Sequence, residues 1–458
     1  MNALFVICGI GVFSLLAEVF NLKKWVQTIS FLGLAAALGF VIHDWKAISY
    51  YYQGMVLFDR FAMAFTALIV VISFFWFWMS IDFFKGEAHR TDKSSLIFFA
   101  IAGAVMMVSF NNMAVLFLGI EILSISLYVL AGSNKENLFS TEAAFKYFLM
   151  GSFATGFLLF GIALVYGATG SFYIGGISDF IVSHPANLPR FLFIGVLMMM
   201  IGLAFKISAV PFHLWAPDVY EGSPTPVTAF MSTIVKIAAF AAFIKIFSVC
   251  FIRIGVTPMH IQTQVEQGLM VLTLLVANVT AVYQTNIKRM LAYSSVGHVG
   301  YLLLAFSSDG AHSSGVIFYY LTAYAVASIL AFTVLQIIEN KRGNASLDNF
   351  KGVFKANPLV AVAFTIALLS LAGIPPLAGF FGKYLVFTLS ISKGYVGLTV
   401  VAVITSLIGV YYYFKPIIAM TQSGSESLEI TNSQKALLSV LIAANLAVGI
   451  FPDLIRLF

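Results

Sequence analysis

Four ionisable residues stand in stretches that are otherwise apolar: Glu121 within 116–130, Lys206 within 202–208, Lys236 within 232–243 and Lys383 within 379–384. A charge placed mid-span costs about 2.5–3.5 kcal/mol on insertion scales, so such residues are rare and usually functional. The chemistry they offer is proton carriage. A low dielectric favours a neutral amine, and a nearby carboxylate favours the ammonium. A change in the distance between Glu121 and Lys206 would therefore change how tightly the lysine holds its proton. Lys236 and Lys383 extend the series. His213 and His298 add rings that donate and accept at once. The static alternative is an ion pair of Glu121 with Lys206 that only pins helices. For four such residues, two of them beside proline breaks, transfer accounts for more of the sequence. His298 by itself reads equally well as a structural histidine.

Other charged positions read more simply. Lys245 lies in a span but near its end, and is expected to snorkel to the interface. Glu142 and Lys146 are four apart at the start of a span and read as a surface pair.

Motifs for other chemistry are absent. The sequence has no GxxxxGK[ST] loop; Gly379-Phe-Phe-Gly382-Lys383 has the wrong spacing and lacks the hydroxyl residue. It has no HExxH, no CxxCH and no dinucleotide fingerprint followed by an acid. Cys8 and Cys250 lie in apolar runs without a CxxC, so no disulfide, zinc site or iron–sulfur cluster is expected. No metal, cofactor or redox centre is expected in this chain.

The elements that must position these residues follow from composition. The 458 residues are 60% hydrophobic and 10% charged, with 46 Phe. Soluble proteins are about 45–50% apolar and about 25% charged. The gap excludes an ordinary soluble enzyme, a disordered chain and a nucleic-acid binder. The apolar runs are continuous rather than alternating, which favours helices over a β-barrel. Hydropathy places spans at 2–22, 26–43, 56–84, 95–111, 113–132, 140–167, 190–213, 224–250, 267–285, 290–307, 313–339, 357–392, 395–418 and 435–452. The fold class expected is an all-α integral membrane protein of about 14 transmembrane helices. The first run lacks a basic n-region and a small-residue cleavage site, and reads as an uncleaved helix. Odd-numbered loops and their flanks carry fifteen Lys and Arg, and even loops and ends carry six. The positive-inside rule then puts both termini outside the cytoplasm.

The chain also reads as internally doubled. Residues 95–252 hold five spans whose fourth is interrupted near Pro211 and Pro217, and 266–418 hold five whose fourth is interrupted at Pro375-Pro376. Five is odd, so the second unit enters from the opposite side. Inverted repeats with broken helices are a recurrent transporter plan. The segment 1–94 precedes them and 434–458 follows.

Three stretches carry a family resemblance: Ala204 to Phe230 (AFKISAVPFHLWAPDVYEGSPTPVTAF), Asn286 to Tyr301 (NIKRMLAYSSVGHVGY) and Leu371 to Lys383 (LAGIPPLAGFFGK). The chain resembles the antiporter-like membrane subunits of respiratory complex I, the proton-pumping NADH:quinone oxidoreductase, over its whole length. The Pro217–Pro226 loop and Lys383 bring it nearest to the N-type branch; the M-type carries a glutamate at the latter position. The end soon after the fourteenth span fits a member without the long lateral helix of the L-type. The resemblance implies that Glu121 and Lys206 are the carboxylate and lysine of a first half-channel, Lys236 a connecting lysine and Lys383 the lysine of a second. It sets His213 on the hydrated central path and gives Glu142 and Lys146 secondary interest. It implies a bacterial inner-membrane protein with periplasmic termini, surrounded by lipid and by other membrane-arm subunits, another antiporter-like one among them. NADH, FMN, Fe–S clusters and quinone would belong to partner subunits. Two other readings share these residues: a subunit of a multisubunit Na⁺/H⁺ antiporter, and a scaffold with static ion pairs.

Overall fold

The structure is a computed structural model that describes residues 1–45, 47–84, 90–184, 187–251, 258–309, 313–424 and 427–452, with the side chains of 258–263 and 309 outside that description. Lys46, Lys85, Arg253 and Arg456, which enter the charge tally, lie outside the described residues. In hydrocarbon every backbone polar group must find a partner, and a helix does so within one segment. The chain accordingly runs as α1 Asn2–Leu16, α2 Val26–His43, a hairpin of β1 Ser49–Tyr51 and β2 Val56–Phe58, then α3 Arg60–Met79, α4 Arg90–Ser109, α5 Met113–Ala131, α6 Leu138–Thr169, α7 Ile174–Ser183 and α8 Arg190–Ile207. After these come α9 Trp215–Gly222, α10 Thr225–Ser232, α11 Ile234–Ile244 with a π-helical turn Lys245–Cys250, α12 Pro258–Val282, α13 Ile287–Asp309 and α14 Ser314–Arg342. The last elements are α15 Val353–Ala356, α16 Pro358–Ala372, α17 Ala378–Ser392, α18 Val396–Thr421 and α19 Asn432–Ile450.

Among the described residues, 12 helical stretches are long and apolar enough to cross a membrane. Shorter apolar helices include α1 and the α16–α17 pair, so fourteen crossings are compatible with the structure. Several boundaries differ from the hydropathy reading. The first span ends at Leu16 rather than 22; the chain then turns, with Asn21 at φ 55°. Residues 56–58 are a strand, not helix: Asp59 caps α3 by accepting from the Ala62 N–H at 2.8 Å. Helix α4 begins at Arg90, and α12 at Pro258. The stretch between the sixth and seventh spans holds α7, too short to register as a span; its Ile174, Ile177 and Ile181 form one buried stripe.

The first interrupted span opens further than a proline kink. Helix α8 stops at Ile207, Ser208 takes the left-handed φ 63°, and helix resumes only at Trp215. Pro217 is not a second break. It lies in the first turn of α9, where its missing N–H costs little. The second interruption falls where the sequence puts it, between α16 and α17. Val210–Pro211 and Pro375–Pro376 are both cis.

The chain divides into two compact units. Unit 1 holds Met1–Ile207 and Ile234–Val265; unit 2 holds Ser208–Thr233 and Glu266–Leu457. These are packing units, drawn differently from the sequence repeats. In unit 1, α4 packs on α5, α6 on α8, and α11 on α3, α4 and α8. The α4–α5 contact is backbone-close: a Cβ on Gly119 would lie 3.0 Å from Gly103 O, the approach that small residues permit between membrane helices. In unit 2, the apolar stretch of α14 is buried and packs against α16, α17, α19 and α10. The outward face of α6 carries exposed Phe139, Phe145, Phe153 and Phe160.

Candidate functional site

In unit 1, Glu121, Ser124 and Tyr128 stand on one face of α5 at i, i+3 and i+7. Lys206, in the last turn of α8, is 2% exposed and reaches that face. Its Nζ donates to Ser124 Oγ at 2.6 Å, and Ser124 Oγ donates to Ile120 O. The Tyr128 and Phe205 ring centroids each lie 5.8 Å from the ammonium, within cation–π reach. Glu121 is not the lysine's contact partner. Its Oε1 is buried with no hydrogen-bond partner among the described residues. A carboxylate near an amine favours the ammonium without the geometric lock of a contact ion pair.

Lys236 lies in the first turn of α11, 2% exposed, on a helix whose every residue is buried. Lys245 does not snorkel as its position suggests. It is 6% exposed, and its Nζ lies 5.2 Å from the Phe110 ring centroid with no hydrogen-bond partner among the described residues. It is the first residue of the π-helical turn. Glu142 and Lys146 form the surface pair that the spacing suggests, 2.7 Å apart with both side chains well exposed.

In unit 2, Lys383 is 6% exposed and lies on α17. Its Nζ donates to Ala372 O at 2.8 Å and to Ser406 Oγ at 2.9 Å, over the Tyr301 ring at 4.9 Å. Ala372 closes α16, so its carbonyl belongs to the negative end of a helix dipole. The next residue, Gly373, has φ 86°, and a Cβ there would lie 2.8 Å from Lys383 Cδ. Glycine both ends the helix and leaves room for the lysine stem.

Close to this break His298 joins a tyrosine cluster. His298 Nδ1 is 2.7 Å from the Tyr320 hydroxyl and Nε2 is 3.2 Å from the Tyr413 hydroxyl. Tyr413 bonds Ser294, and Tyr324 donates to Ser295 Oγ at 2.9 Å. A small cavity borders His298, Tyr320, Tyr324 and Ser370. His213 stands apart from this cluster, in the turn before α9, 7% exposed, with Nδ1 buried and no hydrogen-bond partner among the described residues.

A further network was not foreseen. Arg289 Nη1 donates to Asp218 at 2.7 Å and to Glu221 at 2.9 Å. Asn286 Nδ2 donates to Glu221 Oε1 at 2.9 Å. Lys288 is 5% exposed and donates to Ser223 O at 2.6 Å, with Glu339 at 3.7 Å; Thr225 bonds Glu339. The network clamps the short helix α9 to the start of α13. Both stretches stand out in the sequence, but their charges read there as loop residues.

Buried lysines set against two interrupted helices define an antiporter-like, multi-pass membrane protein. The chain belongs to the NADH:quinone oxidoreductase/Mrp antiporter transmembrane family, whose model matches residues 110–409. Among its relatives is the NADH-quinone oxidoreductase subunit N of Cytophaga hutchinsonii, 44% identical over 99% of this chain and 98% of the relative. A chain in respiratory complex I from Thermus thermophilus with bound aureothin is 32% identical, with TM-score 0.84 over 98% of this chain and 97% of that one. A chain of the Mrp complex from Dietzia, 20% identical, shares the fold at TM-score 0.87 over 99% of this chain and 95% of that one.

Proposed function

We propose that this chain is the proton-translocating N-type membrane subunit of an NADH:quinone oxidoreductase, with no redox chemistry of its own. NADH, FMN, Fe–S clusters and quinone would be held by partner subunits, and the membrane partners would include another antiporter-like chain. The identity of 44% to a subunit N along nearly the whole chain supports this over the Na⁺/H⁺ antiporter reading. The membrane would be a bacterial inner membrane, with both termini on the periplasmic side. Residues 95–252 and 266–418 would be the inverted repeats, flanked by 1–94 and 434–458.

The observation that carries the mechanism is the Lys206 ammonium resting on Ser124 while a buried Glu121 oxygen has no hydrogen-bond partner. A lysine held by a neutral hydroxyl can give up its proton without leaving a lone carboxylate in contact with it. The Glu121 charge sets how readily that happens. Bringing the carboxylate closer loads the lysine; moving it away unloads it. Lys236 is the next proton carrier in unit 1. In unit 2, Lys383 and the His298–tyrosine cluster carry protons, and His213 adds a ring beside the first break.

The test is Lys206→Ala in membrane vesicles, with proton pumping normalised to NADH oxidation and to assembled complex. Loss of pumping at normal assembly is expected. Full pumping at normal assembly would leave Lys206 a structural residue.

A further inference from the structure

Helix α19 lies outside both sequence repeats, and no step of the proposed mechanism uses it. Yet it backs the second break at three points. Asn445 Nδ2 donates to Ser370 Oγ, on α16 before the break, at 3.1 Å. The Tyr319 hydroxyl donates to Val448 O at 2.8 Å, and Val448 packs with Phe381 against Tyr319, Ala323 and Ala378. Gly449 lets the α19 backbone approach the break itself: a Cβ there would lie 2.8 Å from Ala378 N.

Asn445 is the residue of the three that packing does not explain. It is fully buried, and its Oδ1 has no hydrogen-bond partner among the described residues. An apolar side chain would fill the place without the cost of an unpaired amide oxygen. What the amide supplies is its N–H. Ser370, also fully buried, accepts a second bond from the Gly379 N–H at 3.1 Å. A hydroxyl has two lone pairs and one hydrogen. Asn445 and Gly379 occupy both lone pairs, so the hydrogen takes the direction that remains. Ser370 also borders the cavity beside His298, Tyr320 and Tyr324.

We propose that Asn445 is a positioning residue for proton transfer at the second break: it makes Ser370 a fixed donor whose hydrogen faces the His298–tyrosine cavity. This rests on the proton-translocating reading. A hydroxyl with both lone pairs engaged gives a hydrogen bond but takes no proton. Ser370 therefore bars transfer on its own side and directs the cluster's protons to the other members. Without the Asn445 N–H the hydroxyl turns, accepts, and the direction is lost.

The experiment measures protons pumped per NADH oxidised in vesicles holding the assembled complex. It compares Asn445→Leu, Asn445→Asp, Ser370→Ala and the combination of Asn445→Leu with Ser370→Ala, with Lys206→Ala alongside. A carboxyl at 445 keeps the shape of the amide and stays protonated, because a charge there is costly; its O–H still donates to Ser370. Asn445→Leu and Ser370→Ala are each expected to lower the ratio about fivefold, the weight of one net hydrogen bond. Asn445→Asp should stay near the wild-type ratio. The combination should lower it no further than either change alone, because residues acting as one unit are not additive. If Asn445 only fills space, leucine serves at least as well as aspartate, and that order overturns the proposal. So does a normal ratio in Ser370→Ala, or a combination lower than both single changes. Should Asn445→Leu fail to assemble, Ser370→Ala decides. Normal ratios at 445 and 370 with a lowered one in Lys206→Ala overturn the positioning role alone. A normal ratio in Lys206→Ala as well overturns the proton-translocating reading with it.

Discussion

Lys206 in unit 1 and Lys383 in unit 2 are both buried beside an interrupted helix, and their ammonium groups are held in different ways. Lys206 has a single hydroxyl contact and a carboxylate at a distance. Lys383 has a hydroxyl and a helix-end carbonyl, and its hydrogen bonds include no carboxylate. The first lysine answers to a charge on a side chain, which can move. The second answers to a dipole fixed by the backbone.

The contrast can be broken by substitution. The largest effect is expected from Glu121→Gln. Losing the buried carboxylate charge that favours the ammonium should reduce pumping per NADH by about tenfold or more at normal assembly. Pumping within twofold of wild type would mean that the two lysines are controlled alike. A finer comparison pairs Ser124→Ala with Ser406→Ala. A hydrogen bond to a charged group contributes about 1.5–3 kcal/mol. Lys206 loses its one hydrogen bond among the described residues, whereas Lys383 keeps Ala372 O. The expected losses of pumping are about tenfold for Ser124→Ala and threefold or less for Ser406→Ala, read in the same vesicle assay. Equal losses would remove the distinction. Glu142→Gln should give the smallest change, because an exposed i,i+4 pair contributes about 0–1 kcal/mol; the pumping ratio and the melting temperature of the complex should both stay at wild-type values.

Much of this arrangement is legible in the sequence, because a charge in an apolar run is conspicuous and a proline pair in a span has few explanations. Glu121, Lys206, Lys236 and Lys383 are found that way, as is the break at Pro375-Pro376. What the sequence does not carry is the partner. Ser124 is one hydroxyl among many in the spans, and only the packing of α5 against its neighbours selects it. Ala372 O is invisible for a deeper reason, since every residue has a carbonyl and only helix geometry frees this one. Lys245 misleads because its place near the end of a span suggests an interface, whereas the packing buries it against the Phe110 ring, which no linear pattern encodes. The charges of Asp218, Glu221, Lys288 and Arg289 sit in apparent loops, and their mutual pairing depends on which helix ends meet. Helix α7 escapes because ten residues are too few for a hydropathy window.

The use of a backbone carbonyl at Ala372 has an evolutionary consequence. A side-chain partner ties two positions together, so that a change at one selects a compensating change at the other. Lys383 has no such tie to position 372. Any residue that keeps the end of α16 in place supplies the same oxygen, and that position is free to drift. The constraint moves to Gly373 and the two prolines, which shape the chain end without touching a proton. Searches for covarying pairs around Lys383 should therefore find no partner at 372, although the lysine's shorter hydrogen bond is made there.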